Sequence, residues 1–249
     1  MNILLLGYGK MGKAIEAIAV NRGHTIVGKV DNEVERNAFD FASQPDVAIE
    51  FSMPEVAVDN LKFSIDHSLP VVCGTTGWLA HKDEIEKYCQ QRNGTLFYTS
   101  NFSLGVNIFF KVNEYLAKLM NNHTEYSVSM DETHHTQKKD APSGTAITLA
   151  EGIIKNVTHL KEWSNHVSLN HETLVINSYR IDPAPGTHTV KYKSAIDDIE
   201  ITHTAHSRQG FALGAVMVAE WVKNKKGILG MEDFLTSPLP FLQAGIAKK

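Results

Sequence analysis

The densest run of chemically capable residues is Glu132-Thr133-His134-His135-Thr136-Gln137-Lys138-Lys139-Asp140-Ala141-Pro142-Ser143-Gly144-Thr145. A Pro-Ser-Gly-Thr opening to an amphipathic helix leaves backbone N–H groups near Gly144 and Thr145 without intrahelical partners, a setting that suits an anion such as a carboxylate. Two imidazoles and two amines stand just upstream, so the segment can hold a negatively charged substrate and pass it a proton. Each part also has a plainer use. Adjacent histidines on a strand point to opposite faces, so at most one looks into a site; Lys138 and Lys139 can simply be solvated, and Ser143 can serve only as a helix cap. Thr76 and Arg208 are further substrate candidates, the latter because a guanidinium fork matches a carboxylate. His188, His203 and His206 raise a metal reading. His203 and His206, three apart on a strand, point to opposite faces, and the chain has no cysteine pair or H-E-x-x-H, so no metal is expected.

A second constellation opens the chain. Gly7-Tyr8-Gly9-Lys10-Met11-Gly12 is a G-x-G-x-x-G between an apolar run, Ile3–Leu6, and a helical pattern carrying Met11, Ala14, Ile15 and Ile18. The first glycine suits a sharp turn, the second lets a pyrophosphate approach the backbone, and the third permits close packing of helix on strand. Asp31 ends the next strand about 20 residues on, where a carboxylate accepts hydrogen bonds from an adenosine ribose. An acid there favours NAD over NADP, although Lys10 and Lys29 can offset the repulsion of a 2′-phosphate. Gly74-Thr75-Thr76-Gly77 and Thr99-Ser100-Asn101-Phe102 follow later strands, where ligands of doubly wound sheets collect; capping and turn roles suit them equally well.

The elements that must position these groups follow from periodicity. Strands are expected at 3–6, 25–30, 47–51, 71–73 and 96–98, with helices between them at 55–67 and 82–92, the alternation of a parallel sheet with right-handed crossovers. After Asn101 the rhythm changes. A helix over 104–120 carries Phe109, Val112, Leu116, Leu119 and Met120 on one face, and a second from Pro142 carries Ala146, Leu149, Ala150, Ile153 and Ile154. Strands are expected at 126–130, 173–179, 188–193 and 199–206, and a last helix at 211–223. The fold class is α/β, a Rossmann-type doubly wound domain (1–103 plus 209–249) with an inserted α+β domain (104–208).

Composition excludes other classes. The chain has 249 residues, with 24 Lys+Arg against 28 Asp+Glu and a net charge of −4. A nucleic-acid partner normally needs a basic excess. No apolar run reaches the roughly 18 residues of a membrane span, so no membrane partner is expected. Two cysteines and an N-terminus that runs straight into a strand predict a cytoplasmic protein with free thiols.

These motifs, together with Asn101-Phe102-Ser103-Leu104-Gly105-Val106-Asn107, Pro185-Gly186-Thr187-His188-Thr189 and Ile201-Thr202-His203-Thr204-Ala205-His206-Ser207-Arg208, resemble those of the 4-hydroxy-tetrahydrodipicolinate reductases, formerly called dihydrodipicolinate reductases, over nearly the whole chain. The resemblance implies hydride transfer from NADH or NADPH to a small cyclic dicarboxylic imine in diaminopimelate and lysine biosynthesis, with the inserted domain binding substrate and building a homotetramer through an open mixed sheet. It implies His134 as acid/base, Lys138 as proton donor, and His135, Gly144 and Thr145 as substrate contacts. Cofactor contacts would be Gly7, Tyr8, Gly9, Lys10, Met11, Gly12, Gly74, Thr75, Thr76, Thr99, Ser100, Asn101 and Phe102. One departure stands out: Asn32 follows Asp31 where many members place a basic residue for the NADP phosphate, so NADH is expected to work at least as well as NADPH. Two other readings compete, a related oxidoreductase acting on another small carboxylate imine or amino acid, and a non-catalytic nicotinamide-binding sensor.

Overall fold

The apolar run Ile3–Leu6 is completely buried, as expected of a central strand covered on both faces. A computed structural model describes residues 1–207 and 209–237, and divides the chain into two compact units, Met1–Phe102 with the segment from Phe211 onward, and Ser103–Gly210. In the first unit, β1 (Asn2–Leu6), α1 (Lys10–Asn21), β2 (Thr25–Val30), α2 (Glu33–Asn37), β3 (Val47–Glu50), α3 (Pro54–Asp66), β4 (Val71–Cys73), α4 (Lys82–Gln91) and β5 (Thr95–Tyr98) alternate. Each long helix buries one stripe: Gly12, Ile15 and Ala19 on α1, Ala57, Leu61 and Ile65 on α3, Ile85 and Cys89 on α4. The short α2 has no apolar periodicity to announce it. The Asn32 side chain caps it, accepting from Glu35 N at 3.0 Å.

The second unit begins with α5 (Leu104–Met120), followed by β6 (Ser127–His134), α6 (Gly144–Ile154), β7 (Glu162–Ser164), β8 (Thr173–Arg180), β9 (Gly186–Lys193) and β10 (Asp198–Ala205). Its sheet runs β10-β9-β6-β8-β7. β6, β7 and β8 are mutually parallel, and β9 is antiparallel to both β6 and β10, so the sheet is mixed. One face, with Met130, Leu174, Ile176, Val190 and Tyr192, shares a core with α5 and α6. The other is polar and joined across strands by Lys191 to Asp131 at 2.9 Å, Asn177 to Asp131 at 2.8 Å and Thr189 to Thr202 at 3.0 Å. Three expectations need correction. On α5 the buried stripe is Val106, Phe109, Asn113, Ala117 and Met120, whereas Val112 and Leu119 are 46% and 53% exposed. The cause is α6: Asn113 reaches across to donate to Leu149 O at 3.0 Å, and small Ala117 lies on the buried side. β6 also runs four residues further than expected, to His134, and β10 stops at Ala205, leaving His206 beyond the strand.

The chain then returns through α7 (Gln209–Val222), β11 (Gly227–Leu229) and α8 (Met231–Thr236). β11 pairs in parallel with β5 and completes the first sheet in the order β11-β5-β4-β3-β1-β2. Gly214 of α7 lets the helix pass against Phe102, since a Cβ there would lie 1.8 Å from the Phe102 carbonyl oxygen. The strand order reverses between β1 and β3, which creates the crevice where such sheets take ligands. No helix among the described residues is long and apolar enough to cross a membrane.

Candidate functional site

In the first unit three loops gather at the carboxyl ends of β1, β3 and β4. Gly7 has φ +96°, and a Cβ on it would lie 2.2 Å from the Phe51 carbonyl oxygen; a Cβ on Gly12 would lie 2.4 Å from Gly7 O. Gly9, by contrast, has nothing within 4 Å of that position. It precedes a helix with no side-chain cap and no acidic residue in its first turn. Two glycines are therefore demanded by packing and the third keeps the backbone open above free N–H groups, a cradle that fits a dinucleotide pyrophosphate. Asp31 accepts from Tyr8 N at 2.8 Å, and its own amide donates to Glu35 at 2.7 Å. Lys29 pairs with Glu16 at 2.7 Å, donates to the Tyr8 hydroxyl at 3.0 Å and lies 4.4 Å from the centre of the Tyr8 ring. Hydrogen bonding from Lys29, then from Tyr8, holds Glu16 below the usual carboxylate range. Gly74 packs on the Phe51 ring, which in turn lies 5.3 Å from Phe102.

In the second unit strand register assembles the chemistry. β6 sets Glu132 opposite His188 of β9 and Ser178 of β8, and His134 opposite Arg180. Glu132 is fully buried. One oxygen accepts from Ser143 N at 3.0 Å and the other from Arg180 Nη2 at 3.2 Å. Burial pushes this carboxyl up, but the donors around it, Ser143 first, hold it below its ordinary range. His134 Nδ1 lies 3.4 Å from Glu132, and its ring stands edge-on to His188 at 5.0 Å. Burial lowers the His134 pKa despite the nearby carboxylate. Burial, then the neighbouring His134, takes His188 down to about 4. Both rings are accordingly neutral at pH 7. Lys138 donates to both oxygens of Asp140 at 2.8 Å. Ser143 caps α6, accepting from Ala146 N at 3.2 Å, and Gly144 at the first helical position has open space around it. Beside this cluster a cavity of about 360 Å³ is lined by His135, Gln137, Asp182, Pro185 and Ser207, a size suited to a small ring. Glu132, His134 and His188 also form a set whose ligand atoms lie within 4.8 Å of one another. The guanidinium of Arg180 already supplies positive charge to that carboxylate.

Comparison with known proteins places the chain in a family. Residues 1–102 match the family model "Dihydrodipicolinate reductase, N-terminus", and residues 105–235 match "Dihydrodipicolinate reductase, C-terminus". The chain belongs to the dihydrodipicolinate reductase family. A 4-hydroxy-tetrahydrodipicolinate reductase of Christiangramia forsetii is 50% identical over 237 residues, covering 95% of this chain and 98% of the relative. One from Archaeoglobus fulgidus is 35% identical, covering 91% and 96%. Among solved structures, a dipicolinate-bound dihydrodipicolinate reductase from Paenisporosarcina sp. TG-14 superposes with a TM-score of 0.74 at 20% identity, covering 92% of this chain and 97% of that one. At that identity the likeness is one of fold.

Within this reductase fold the candidate residues fall into two groups. Gly7, Tyr8, Gly9, Lys10, Met11, Gly12, Asp31, Gly74, Thr75, Thr76, Thr99, Ser100, Asn101 and Phe102 all lie in the first unit. Not all present a side chain. The Thr75 hydroxyl accepts from Ser52 N at 2.8 Å, and the Phe102 ring is 2% exposed, so both side chains serve the scaffold. Thr76 and Ser100 are exposed. His134, His135, Lys138, Gly144 and Thr145 lie in the second unit; Arg208 lies outside the described residues. Sequence reasoning gave no role to Arg180 or the Phe51–Ser52 loop, and weighed His188 only as a metal ligand. Glu132 had a usable signal, because a residue two before His134 on one strand shares its face. Arg180 had none without the pairing of β6 with β8.

Proposed function

We propose that this chain reduces 4-hydroxy-tetrahydrodipicolinate to tetrahydrodipicolinate with NADH or NADPH, the reductive step of diaminopimelate and lysine biosynthesis. The observation that carries this reading is the open start of α6, with Gly144 exposed and Ser143 tied to Glu132, in a chain half identical to a reductase of that name. The first unit is the dinucleotide domain: Gly7, Gly9 and Gly12 shape the cradle, and Asp31 accepts from the ribose. When bound, the reduced nicotinamide supplies a hydride. The second unit is the substrate domain. Backbone N–H groups at Gly144 and Thr145 take one carboxylate of the ring, and His135 adds a contact. Hydride addition to a conjugated imine leaves an atom that needs a proton, and Lys138 or His134 provides it. The Lys138 ammonium must exchange its Asp140 partner for substrate before it can act.

The second unit also assembles the enzyme, as a homotetramer built through the polar face of its sheet, where Thr187, Thr189, Thr202 and Thr204 form a cross-strand ladder. Work in the cytoplasm is in keeping with Cys73 and Cys89, both buried and unpaired. The decisive assay couples the protein to a synthase that forms the unstable substrate from pyruvate and aspartate semialdehyde, while nicotinamide absorbance is followed. Turnover is expected with both cofactors, and Lys138→Ala should abolish it while leaving cofactor affinity unchanged. A flat trace with NADH and NADPH alike would defeat the reading. Sedimentation velocity tests the tetramer.

A further inference from the structure

The buried carboxylate of Glu132 contacts three parts of the second unit at once. It accepts from the amide that opens α6, lies beside His134 Nδ1, and takes one arm of the Arg180 guanidinium. The rest of that guanidinium grips the loop between β6 and α6. Nη2 donates to Asp140 O at 2.5 Å and Nε to Lys138 O at 3.3 Å, while Nη1 returns to Tyr179 O at 2.8 Å. The loop has no regular structure of its own over 135–143. The two carbonyls that flank Lys139 are therefore held by one rigid fork, which is itself anchored to Glu132.

The same carboxylate constrains an imidazole. An ionised carboxylate only accepts hydrogen bonds, so a ring nitrogen turned toward it is favoured as N–H. His134 Nδ1 is buried and forms no well-aligned hydrogen bond of its own, and Glu132 lies 3.4 Å away. The opposite nitrogen, Nε2, lies against Gly186, where a Cβ would come within 3.1 Å of it. Lys138 and Arg180 add positive charge and Asp140 negative charge around the ring, with His188 stacked edge-on.

We propose that Glu132 and Arg180 are positioning residues for the reductase reaction: Glu132 fixes His134 as the tautomer with hydrogen on Nδ1 and a free acceptor at Nε2, and Arg180, anchored by Glu132, holds the Lys138 loop at its working place. This rests on the function proposed above and assigns the proton donation to Lys138, because a neutral ring with an acceptor at Nε2 can orient or accept but has no proton there to give.

Two variants and one spectrum test it. In long-range ¹H–¹⁵N spectra of the intact protein, His134 should show the Nδ1–H pattern at pH 7. Glu132→Gln keeps the size but can turn an amide N–H toward the ring, so the population should move toward Nε2–H. Arg180→Lys keeps the charge and loses the fork. It should lower kcat about 100-fold, the scale of a displacement near 1 Å, while KM and the affinity for pyridine-2,6-dicarboxylate change less than threefold. An Nε2–H pattern in the wild type, or one unmoved in Glu132→Gln, overturns the role of Glu132. An Arg180→Lys protein with kcat intact, or with KM and kcat lost together, overturns that of Arg180. A wild type with no turnover but the Nδ1–H pattern leaves the tautomer assignment standing and removes the reaction reading instead.

Discussion

Removing the Asp31 carboxylate should reverse the cofactor preference, by an amount that the geometry sets. Tyr8 N fixes this carboxylate at the end of β2, and Glu35 sits on the Asp31 amide, so in the cofactor site proposed above two acids would face a ribose 2′ substituent. A 2′-phosphate of charge about −1.5 to −2, some 5 Å from each, would be repelled by about 3 kcal/mol in unscreened water. Physiological salt roughly halves this to about 1.5 kcal/mol, a tenfold preference for NADH. Lys29 does not offset it, being engaged by Glu16 and Tyr8. In Asp31→Ser, NADPH regains about half of that penalty and binds roughly threefold tighter, while NADH loses a charge-assisted hydrogen bond worth about 1.5 kcal/mol and binds about tenfold weaker. The ratio should swing by about 30-fold. Fluorescence titration of both cofactors measures it directly, and repetition in high salt should shrink the NADPH effect alone. Equal weakening of the two cofactors, or a wild type that prefers NADPH, would refute the argument.

Gly9→Ala should keep the thermal midpoint within a few degrees yet weaken dinucleotide binding, whereas Gly12→Ala, with a Cβ 2.4 Å from Gly7 O, should lower stability by about 1–3 kcal/mol as an overpacked site does; calorimetry and titration on the same samples separate the two. Acid should destabilise the protein between pH 6.5 and about 4. His188 has a depressed folded pKa of about 4, so its contribution is full above 6.5 and is lost as pH falls through 4, about 3 kcal/mol in all; His134 and His203 shift the same way. Urea midpoints at pH 7 and pH 5 should differ accordingly, and less so in His188→Gln. A Cβ at Gly144 meets nothing within 4 Å, so Gly144→Ala should leave the urea midpoint unchanged, and the bulkier Gly144→Val should weaken pyridine-2,6-dicarboxylate at least tenfold; an unaffected affinity would move the carboxylate site elsewhere.

What could be read from residue order follows the range of the forces involved. Ile3–Leu6 and the alternation that follows it signal a parallel sheet because burial on two faces requires continuous apolar runs. The glycines at 7, 9 and 12 are legible because a local backbone turn requires them. The Val112–Leu119 stripe misleads, since Leu and Val mark an apolar face without saying which neighbour covers it, and it is Asn113 that meets α6 and Ala117 that is buried. β6 looks as though it ends at Met130, because Asp131 and Glu132 lower its apparent β-propensity. The buried network that stabilises Glu132 depends on partners 11 and 48 positions away, Ser143 and Arg180. Arg180 supplies its cation only through the pairing of two strands that are distant in sequence.

The order in which the two units can fold during synthesis follows from the place of β11 at the sheet edge beside β5. Ser103–Gly210 is continuous and can close on itself as soon as it has been synthesised. The domain that starts the chain must wait, since its last strand, and α7 with Val216 and Trp221 for its core, are translated after the insert. The middle of the polypeptide can therefore mature first, and a nascent chain stalled before Gly227 should present a finished inserted unit and an incomplete flanking one.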